Sequence, residues 1–378
     1  MEVAPGADRH DAAMTDGVLA TWRSPALTLA KPIVLGEPLH PAAARRQQLA
    51  WDEPAWPERE LRVISVDDAL VTHNGLSFHC DGTVVAATAR KFTDEAIGEA
   101  AAHFATILDV APYLDIDAVL CMRPGATCYG HVLAEIMPGA WMVRKLLPGR
   151  QASLLSWTRP ELVGLYRNIA AAAGVQDMPL VNCTGPVRVR RLLVVDGFAE
   201  TDVYLSPSIR EFANNVMDAL GVRGLDAGRR LFLPRRATQG RSVRNLTEVS
   251  ACLQRHDFET VYPEDLPWRE QVALFRQAAR VVGVQGSALT TSMFCQSGTQ
   301  VLSLAPTRMV DTFFWRIAGC CGLSYQELRC GMTEGMRSRE TGRVLDQDIE
   351  VDVELLEVWL SGTADGESVP LPERVTKR

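Results

Sequence analysis

The stretch Leu231-Phe232-Leu233-Pro234-Arg235-Arg236-Ala237-Thr238-Gln239-Gly240-Arg241-Ser242-Val243-Arg244-Asn245 decides the fold of this chain. It reads as an apolar strand, an arginine-rich loop and the start of a helix predicted over residues 246–256. Further along, a predicted strand at 280–284 ends in Gln285-Gly286-Ser287-Ala288-Leu289-Thr290-Thr291, after which the pattern predicts an apolar helix and a strand at 301–304. Strands that alternate with helices in this way are typical of an α/β unit with an open parallel sheet.

Both loops carry residues that suit an anionic ligand. The guanidinium groups of Arg235 and Arg241 match phosphate oxygens, and the helix N-terminus beside them offers unpaired N–H groups. The small residues at 286–288 let backbone N–H groups approach a ligand closely. The alternative is a solvated arginine loop and a simple tight corner. Because both loops lie at the carboxyl ends of parallel strands, where ligands bind, their shared position favours an anion-binding site.

A second motif lies upstream, at Cys128-Tyr129-Gly130-His131-Val132-Leu133-Ala134-Glu135-Ile136-Met137-Pro138. It reads as an apolar helical stretch. His131 and Glu135 are four residues apart, so a regular helix would place both side chains on one face. Such a pair can be a structural hydrogen bond or part of a catalytic site, and the pattern by itself leaves both interpretations open.

Together the two motifs resemble glycosyltransferase family 61, also called DUF563 or the capsular polysaccharide biosynthesis family. The downstream residues that carry the resemblance are Arg235, Arg241, Asn245, Glu248, Glu270-Gln271, Gly286, Leu289 and Thr290, followed by Phe294, Gly298 and the segment 301–306. The upstream motif is similar to the family's Asn-Tyr-x-His-Trp-Leu-x-Asp/Glu-x-Leu-Pro segment. The chain departs from the family at Gln285, Ala288 and Cys128, where the family has His, Gly and Asn. Glutamine can donate a hydrogen bond to phosphate, but it cannot carry positive charge or transfer a proton.

The resemblance implies an α/β, GT-B-like fold in which two Rossmann-like domains face each other across a cleft. It implies an inverting glycosyltransferase that moves a sugar from a nucleotide-sugar donor to a glycan or other hydroxyl acceptor, in surface polysaccharide biosynthesis. The candidate base, or its orienting partner, is His131 or Glu135. The candidate nucleotide-sugar-binding residues are Arg235, Arg241, Asn245, Glu248, Gln285, Gly286, Ser287, Ala288, Leu289 and Thr290.

Two other classes of protein remain open at this point. One is a catalytically weakened protein with the transferase fold that binds nucleotide or carbohydrate, which Gln285 favours. The other is a sugar-nucleotide epimerase or hydrolase on a similar scaffold.

Composition narrows the class of protein further. A chain of 378 residues with 47% apolar content is typical of two domains. The formal net charge of −7 argues against a nucleic acid partner. The start of the chain lacks a secretory pattern, and no apolar run approaches the roughly 18 residues that a membrane helix needs. We therefore expect a cytoplasmic protein with no membrane span, while peripheral association is left open.

Neither the cysteines nor the acidic residues predict a metal site. The nine cysteines show no regular framework, which fits reduced thiols. Asp115-Ile116-Asp117 matches the Asp-x-Asp pattern by which another class of glycosyltransferases binds a divalent metal, but it lies at the entry of a predicted strand and recurs by chance. We expect no metal and no cofactor apart from the nucleotide sugar as co-substrate.

Five segments are predicted along the chain. They are an irregular lead-in at 1–60, an N-terminal acceptor-side α/β domain at 61–205, a linker helix and loop at 206–228, a C-terminal nucleotide-sugar-binding Rossmann-like domain at 229–330, and a strand/helix extension and tail at 331–378.

Overall fold

The structure is a computed structural model that describes residues 17–52, 54–90, 92–123, 127–200 and 203–362. In chain order, the strands are β1 Gly17–Ser24, β2 Leu27–Thr28, β3 Ile33–Gly36, β4 Ala55–Trp56, β5 Arg59–Val71, β6 Ser77–Phe78, β7 Tyr113–Leu120, β8 Ser153–Ser156, β9 Leu180–Asn182, β10 Val187–Asp196, β11 Ala199–Glu200, β12 Tyr204–Leu205, β13 Arg229–Leu233, β14 Phe258–Thr260, β15 Ala278–Val284, β16 Gln300–Pro306, β17 Ser324–Thr333 and β18 Asp348–Glu350.

The α-helices are α1 Pro41–Asp52, α2 Ala86–Ala89, α3 Asp94–Ala102, α4 Phe104–Val110, α5 Tyr129–His131, α6 Met137–Leu146, α7 Val163–Ala172, α8 Ile209–Ala219, α9 Leu246–Arg255, α10 Trp268–Arg276, α11 Phe313–Cys321, α12 Met336–Thr341 and α13 Val353–Ser361. A π-helix spans Val132–Ile136, and 3₁₀ helices span Pro160–Leu162, Ala237–Gln239, Pro263–Asp265, Ser287–Phe294 and Val344–Asp346.

The chain divides into two structural units. The first unit comprises Met1–Ser24, Glu58–Thr127 and Glu135–Glu200. The second unit comprises Pro25–Pro57, Cys128–Ala134 and Thr201–Arg378.

A mixed sheet forms the centre of the first unit. Its strand order is β1-β5-β10-β7-β8-β9, with β6 beside β5. Strand β5 runs antiparallel to both of its neighbours in this order, β1 and β10, whereas β10, β7, β8 and β9 are parallel to one another. The short strand β8 is buried along its whole length, as expected for a parallel strand covered on both faces.

The second unit is built on a mostly parallel sheet. Its order is β14-β13-β15-β16-β17-β18, with β3 also beside β17. Only β18 runs antiparallel, and helices α9 and α10 make the connections from β13 to β14 and from β14 to β15. Strand β14 therefore lies on one side of β13, and the next strand in the chain, β15, lies on the other side. The direction in which strands are added to the sheet reverses at this point. In open parallel sheets such a switch point is where ligands bind. The protein thus has a mixed α/β fold with parallel sheets.

The structure corrects the prediction of an irregular lead-in over residues 1–60. From residue 17 onward this segment forms β1 to β4 and α1, while residues 1–16 lie outside the described part of the chain. Strand β1 pairs with β5, and β3 pairs with β17. These early strands form because they pair with strands that are distant in sequence. Local residue propensity does not indicate such pairing.

Two further predicted elements differ from the structure. Helix α8 forms inside the predicted linker at 206–228, but its apolar face is buried, so the helix is part of the second unit's core. The helix predicted after the Gly286 turn is a 3₁₀ helix, Ser287–Phe294. It contains the adjacent β-branched residues Thr290 and Thr291, which disfavour a regular α-helix.

No described helix combines the length and the apolar composition that crossing a membrane requires. The nine cysteines are all free thiols. Most of them are buried, and burial raises the pKa of Cys121 to about 12.

Helix α13 is attached to α9 through Glu357. Its carboxylate accepts hydrogen bonds from Cys252 Sγ at 3.0 Å, His256 Nε2 at 2.6 Å and Arg255 Nη2 at 3.0 Å. These bonds, Cys252 first, lower the pKa of Glu357 from 4.5 to about 2. Because the folded-state pKa is below the unfolded one, the stabilisation is fully present above about pH 4.5 and is lost as the pH falls through about 2.

We therefore predict that Glu357→Gln lowers the free energy of unfolding near neutral pH, and that its difference from the parent shrinks as the pH falls from about 4.5 toward about 2. Urea unfolding followed by circular dichroism over this range measures the difference. A difference that stays constant with pH would contradict the assigned role of the carboxylate.

Candidate functional site

The arginine loop, residues 234–245 between β13 and α9, folds back over the switch point. Arg235 Nε donates to Gly240 O at 2.8 Å, and Nη2 donates to Gln239 O at 3.0 Å. Its Nη1 lies against Gly286, where a Cβ atom would overlap it. Gly286 follows β15, the neighbour of β13. The absence of a side chain at 286 therefore leaves room for the guanidinium between the two strand ends.

Arg241 lies beside this group in an unusual backbone conformation. Its φ of +58° is in the left-handed region, which non-glycine residues rarely adopt. The preceding Gly240 also has a positive φ, and a Cβ there would lie 2.9 Å from Asp346 O. Arg241 Nη1 donates to Met309 Sδ, 3.4 Å away. The strained turn is thus fixed by packing against the segments that contain Asp346 and Met309.

The electrostatics of the two arginines favour an anion. Burial, followed by repulsion from Arg241, lowers the pKa of Arg235 to about 10, against the attraction of Glu264. Burial also lowers the pKa of Arg241, and the nearby carboxylates of Asp311 and Asp346 oppose this shift. Both guanidinium groups remain charged near neutral pH. Two largely buried cations that repel each other are stabilised when a multivalent anion binds between them.

The Gly286 turn supplies fewer ligand groups than its sequence predicts. The side chains of Gln285, Leu289 and Thr290 are 0% exposed, so in this structure they do not face a ligand. Gln285 Nε2 instead donates to Asp311 O at 3.3 Å, and Leu289 N–H donates to Gly286 O at 2.9 Å. That these three residues bind the nucleotide sugar stays a prediction, and their side chains do not support it, because a buried side chain and a binding side chain look alike in sequence.

Ser287 and Ala288 remain available in the turn. Both are half-buried and form the first turn of the 3₁₀ helix. The first N–H groups of a helix have no partner within it. Together with Gly286, these residues are the candidate backbone donors for an anion bound by the arginines.

Asn245 and Glu248, which were also predicted to bind the nucleotide sugar, make other contacts or face solvent in the structure. The amide of Asn245 donates to Val351 O at 2.8 Å and accepts from Val351 N at 3.1 Å. Both ends of the amide are used, so Asn245 joins the start of α9 to the segment before α13. Glu248 is exposed on the first turn of α9. The structure therefore does not bring Asn245 or Glu248 to the arginine loop as ligand groups.

The upstream motif begins within the second unit, against the 3₁₀ helix. Cys128 Sγ lies 3.1 Å from Ser287 Oγ, and Tyr129 OH lies 3.0 Å from Thr291 Oγ1. A Cβ on Gly130 would lie 2.7 Å from Thr290 Oγ1, so the small residue allows close packing. The half-buried ring of His131 is 5.6 Å from that of Phe313.

Glu135 belongs to the first unit and has a different environment. Its carboxylate lies 2.7 Å from Arg123 Nη2, and the two side chains are 4% and 8% exposed, respectively. Burial lowers the pKa of Arg123, and the charge of Glu135 opposes this shift. A π-helix spans Val132–Ile136, just before Pro138, which lacks the N–H of a regular helical hydrogen bond. The α-helical spacing behind the prediction that His131 and Glu135 share one face therefore does not apply here.

A polar pocket lies within the first unit at the carboxyl ends of β7 and β10. Its lining includes Arg90, Arg123, Glu135, Asp196 and Glu200. Arg90 pairs with Asp196 at 3.1 Å and with Glu200 at 2.9 Å. The pocket therefore presents both donors and acceptors of hydrogen bonds.

The Asp-x-Asp motif lies on β7 and is engaged by arginines. Asp117 pairs with Arg150 at 2.5 Å and with Arg190 at 3.0 Å. Asp115 lies 3.5 Å from Arg190 and is otherwise solvent-exposed. In the part of the chain that the structure describes, His, Cys, Asp and Glu side chains form no group of three or more that could hold a metal ion.

Sequence reasoning missed the residues that surround Arg241. Met309 and Asp311 lie in the loop after β16, whose carboxyl end is at the same edge of the sheet as the arginine loop. The order of predicted strands could have indicated this loop. Asp346 is the last residue of the 3₁₀ helix Val344–Asp346, beyond β17, and no sequence signal connects it to the site.

Residues 129–302 match the family model described as Glycosyltransferase 61. This confirms the resemblance to glycosyltransferase family 61. The matched segment contains every candidate site residue from His131 to Thr290. The matching model is that of a family of glycosyltransferases.

Comparison with curated proteins gives no match. Among solved structures, the chain is similar to the dodecameric iron-containing heptosyltransferase TibC in complex with ADP-D-β-D-heptose, with 12% sequence identity and a TM-score of 0.28. The alignment covers 52% of this chain and 60% of that chain, which is less than two thirds of its length.

Proposed function

We propose that the protein is an inverting glycosyltransferase that transfers a sugar from a nucleotide-sugar donor to a hydroxyl of a glycan or other acceptor, in the cytoplasm and in the synthesis of surface polysaccharide. The observation that carries the proposal is the pair of largely buried guanidinium groups, Arg235 and Arg241, beside Gly286 at the switch point of a parallel sheet. The two units are proposed to be the two Rossmann-like domains of a GT-B fold.

The diphosphate of the donor is proposed to bind between the arginines and the first N–H groups of the 3₁₀ helix, at Ser287 and Ala288. As the bond to the sugar breaks, negative charge grows on the diphosphate. Fixed donors in a site shielded from water stabilise that charge without reorganising, and this electrostatic term is usually the largest one in catalysis. Gly286 permits the arrangement because it has no Cβ to displace Arg235.

His131 is proposed as the base that accepts the proton of the acceptor hydroxyl. It lies in the same unit as the arginines, next to the segment that contacts Ser287. An imidazole changes its charge near neutral pH, as a general base requires. Glu135 is already paired with Arg123, so we assign it a structural role in the polar pocket of the first unit.

A panel of nucleotide sugars, incubated with and without glycan acceptors, tests the proposal. Transfer of the sugar with release of nucleoside diphosphate and inversion at the anomeric carbon is expected. Binding without turnover would favour a catalytically weakened binding protein. An isomerised or hydrolysed nucleotide sugar in the absence of acceptor would favour an epimerase or a hydrolase.

We predict that transfer persists in the presence of EDTA, because the guanidinium and N–H groups supply the positive charge that a metal would otherwise provide. Asp115→Asn together with Asp117→Asn should likewise leave the affinity for donor intact. Turnover and donor binding, measured with and without EDTA, check this prediction. A loss of turnover that Mn²⁺ restores would assign the protein to the metal-dependent class.

Gly286→Ala is predicted to weaken nucleoside diphosphate binding, because the added Cβ overlaps Arg235 Nη1 and forces the guanidinium aside. A loss of about 1.5 to 3 kcal/mol corresponds to one hydrogen bond to a charged group. Gly164→Ala is the matched control, since a Cβ there has no neighbour within 4 Å among the atoms described. Titration calorimetry measures both affinities, and equal values for the two variants would contradict the role of Gly286.

A further inference from the structure

The loop between β16 and α11 is held by two buried donors, one on each side of Val310. Arg329 Nη1 donates to Met309 O at 3.3 Å, and Gln285 Nε2 donates to Asp311 O at 3.3 Å. Arg329 and Gln285 are 1% and 0% exposed, so neither side chain can contact a ligand in this structure. Both act on backbone carbonyls of the same three-residue segment.

Arg329 is itself fixed by a buried polar network on one face of β17. Glu327 pairs with Arg329, accepts from Tyr325 OH at 3.0 Å and accepts from Gln47 Nε2 at 3.0 Å. The residues 325, 327 and 329 are two apart on a strand, so their side chains share one face of the sheet. Burial raises the pKa of Glu327, against the charge of Arg329.

The segment held in this way contacts Arg241 through Met309 and acts on its charge through Asp311. Met309 Sδ accepts from Arg241 Nη1 at 3.4 Å, and the Asp311 carboxylate is the first of the charges that support the protonated state of Arg241. Arg241 Nε is buried and has no hydrogen-bond partner among the described residues, so protein hydrogen bonds do not fully fix its guanidinium. Met309 and the carboxylates of Asp311 and Asp346 are therefore the groups that act on this guanidinium.

We propose that Arg329 and Gln285 are positioning residues, which hold the Met309–Asp311 segment so that Arg241 is oriented for a diphosphate. The inference rests on the proposed function of the arginine pair. It also assigns a role to Gln285, which stands where the family has His. Gln285 supports the pocket through its hydrogen bond to the Asp311 carbonyl and does not contact the ligand. A group that fixes a charged donor in advance saves the ordering cost when the ligand binds.

Gln285→Met is the first test variant. It keeps the length of the side chain, removes the donor to Asp311 O, and removes an amide oxygen that is buried without a partner among the described residues. A merely structural amide should affect stability alone. The positioning role predicts unfolding stability equal to or above that of the parent, together with roughly 5- to 10-fold weaker binding of inorganic pyrophosphate, as expected when one hydrogen bond to this segment is lost.

Glu327→Leu/Arg329→Met is the second variant. Replacing both partners of a buried ion pair with apolar residues avoids leaving a lone buried charge, so the chain is expected to fold. Pyrophosphate binding should weaken by a similar factor of about 5 to 10. In the Arg241→Ala background the same double replacement should change the affinity less than about 2-fold, because the group being positioned is absent.

Trp359→Phe is the matched control. It removes the hydrogen bond from Trp359 Nε1 to Gln326 Oε1, at 2.8 Å, on the other face of β17. It should lower stability and leave pyrophosphate affinity unchanged. Calorimetric titration with pyrophosphate and urea unfolding, performed on every variant, give both quantities.

The outcomes separate this inference from the proposed function. If the parent does not bind pyrophosphate, or if Arg241→Ala does not weaken binding, the diphosphate pocket itself is refuted and the positioning role falls with it. If Arg241→Ala weakens binding but Gln285→Met and the Glu327/Arg329 variant bind as the parent does, the positioning role alone is refuted. The positioning role is also refuted if the Glu327/Arg329 replacement weakens pyrophosphate binding as much in the Arg241→Ala background as in the parent.

Discussion

A variant with both Arg235→Ala and Arg241→Ala is expected to lose measurable affinity for nucleoside diphosphates while keeping its fold. Each guanidinium should contribute about 1.5 to 3 kcal/mol through charge-assisted hydrogen bonds. The two guanidinium groups repel each other, as the lowered pKa of Arg235 shows, and removing one of them ends this repulsion. The two effects will therefore not add fully. A combined loss on the order of 10²- to 10⁴-fold in affinity is expected.

The same loop provides the control for this experiment. Arg236→Ala removes the same charge from an exposed side chain that pairs with Asp265 and Glu264. Its effect on diphosphate affinity should be small, since exposed ion pairs contribute little. Lysine at 235 or 241 should restore only part of the affinity, because the planar fork is lost. A folded double alanine variant that binds diphosphate like the parent would remove the switch point as the donor site.

His131→Ala is expected to lower turnover by about 10²- to 10⁴-fold, the usual contribution of a general base. Binding of the nucleotide sugar should change little, because the diphosphate contacts remain. The loss should therefore appear in kcat and not in KM for the donor. The pH profile of kcat should also lose the limb that reports protonation of the base.

Two other variants make this result specific. His103→Ala removes an exposed histidine at the end of α3 and should leave turnover unchanged. Glu135→Gln should lower the stability of the protein, because a buried guanidinium loses its anionic partner. Turnover per folded molecule should survive in that variant. If instead Glu135→Gln folds normally and is inactive while His131→Ala is active, Glu135 is the base.

The part of the site that follows from strand order was predictable. Alternation of strands and helices predicted a parallel sheet, and the carboxyl ends of its strands brought Arg235 and Gly286 together. The identity of the residues that face the ligand was not predictable. Gln285, Leu289 and Thr290 share a motif with Gly286, and only the packed structure shows that their side chains are buried.

The remaining differences arise from contacts between distant parts of the chain. Asn245 pairs with the backbone of Val351, 106 residues further along, and nothing in the local pattern of either residue indicates this bond. The π-helix at Val132–Ile136 replaces regular helical spacing at a position where the periodicity of apolar residues gives no warning. Family resemblance identifies positions that matter, but it does not distinguish contact with a ligand from support of the pocket.

The early segment at residues 25–57 has a consequence for biosynthesis. Strand β3 completes an edge of the second unit's sheet, and Gln47 reaches Glu327, 280 residues away in sequence. At about 5–20 residues per second, a ribosome releases these partners roughly 15 to 60 s apart. During that interval β17, with which the early segment pairs, has not yet been synthesised, although the first unit can already be folding. A fragment that starts at residue 201 would permanently lack this strand, and the edge of β17 would be exposed to pairing between molecules.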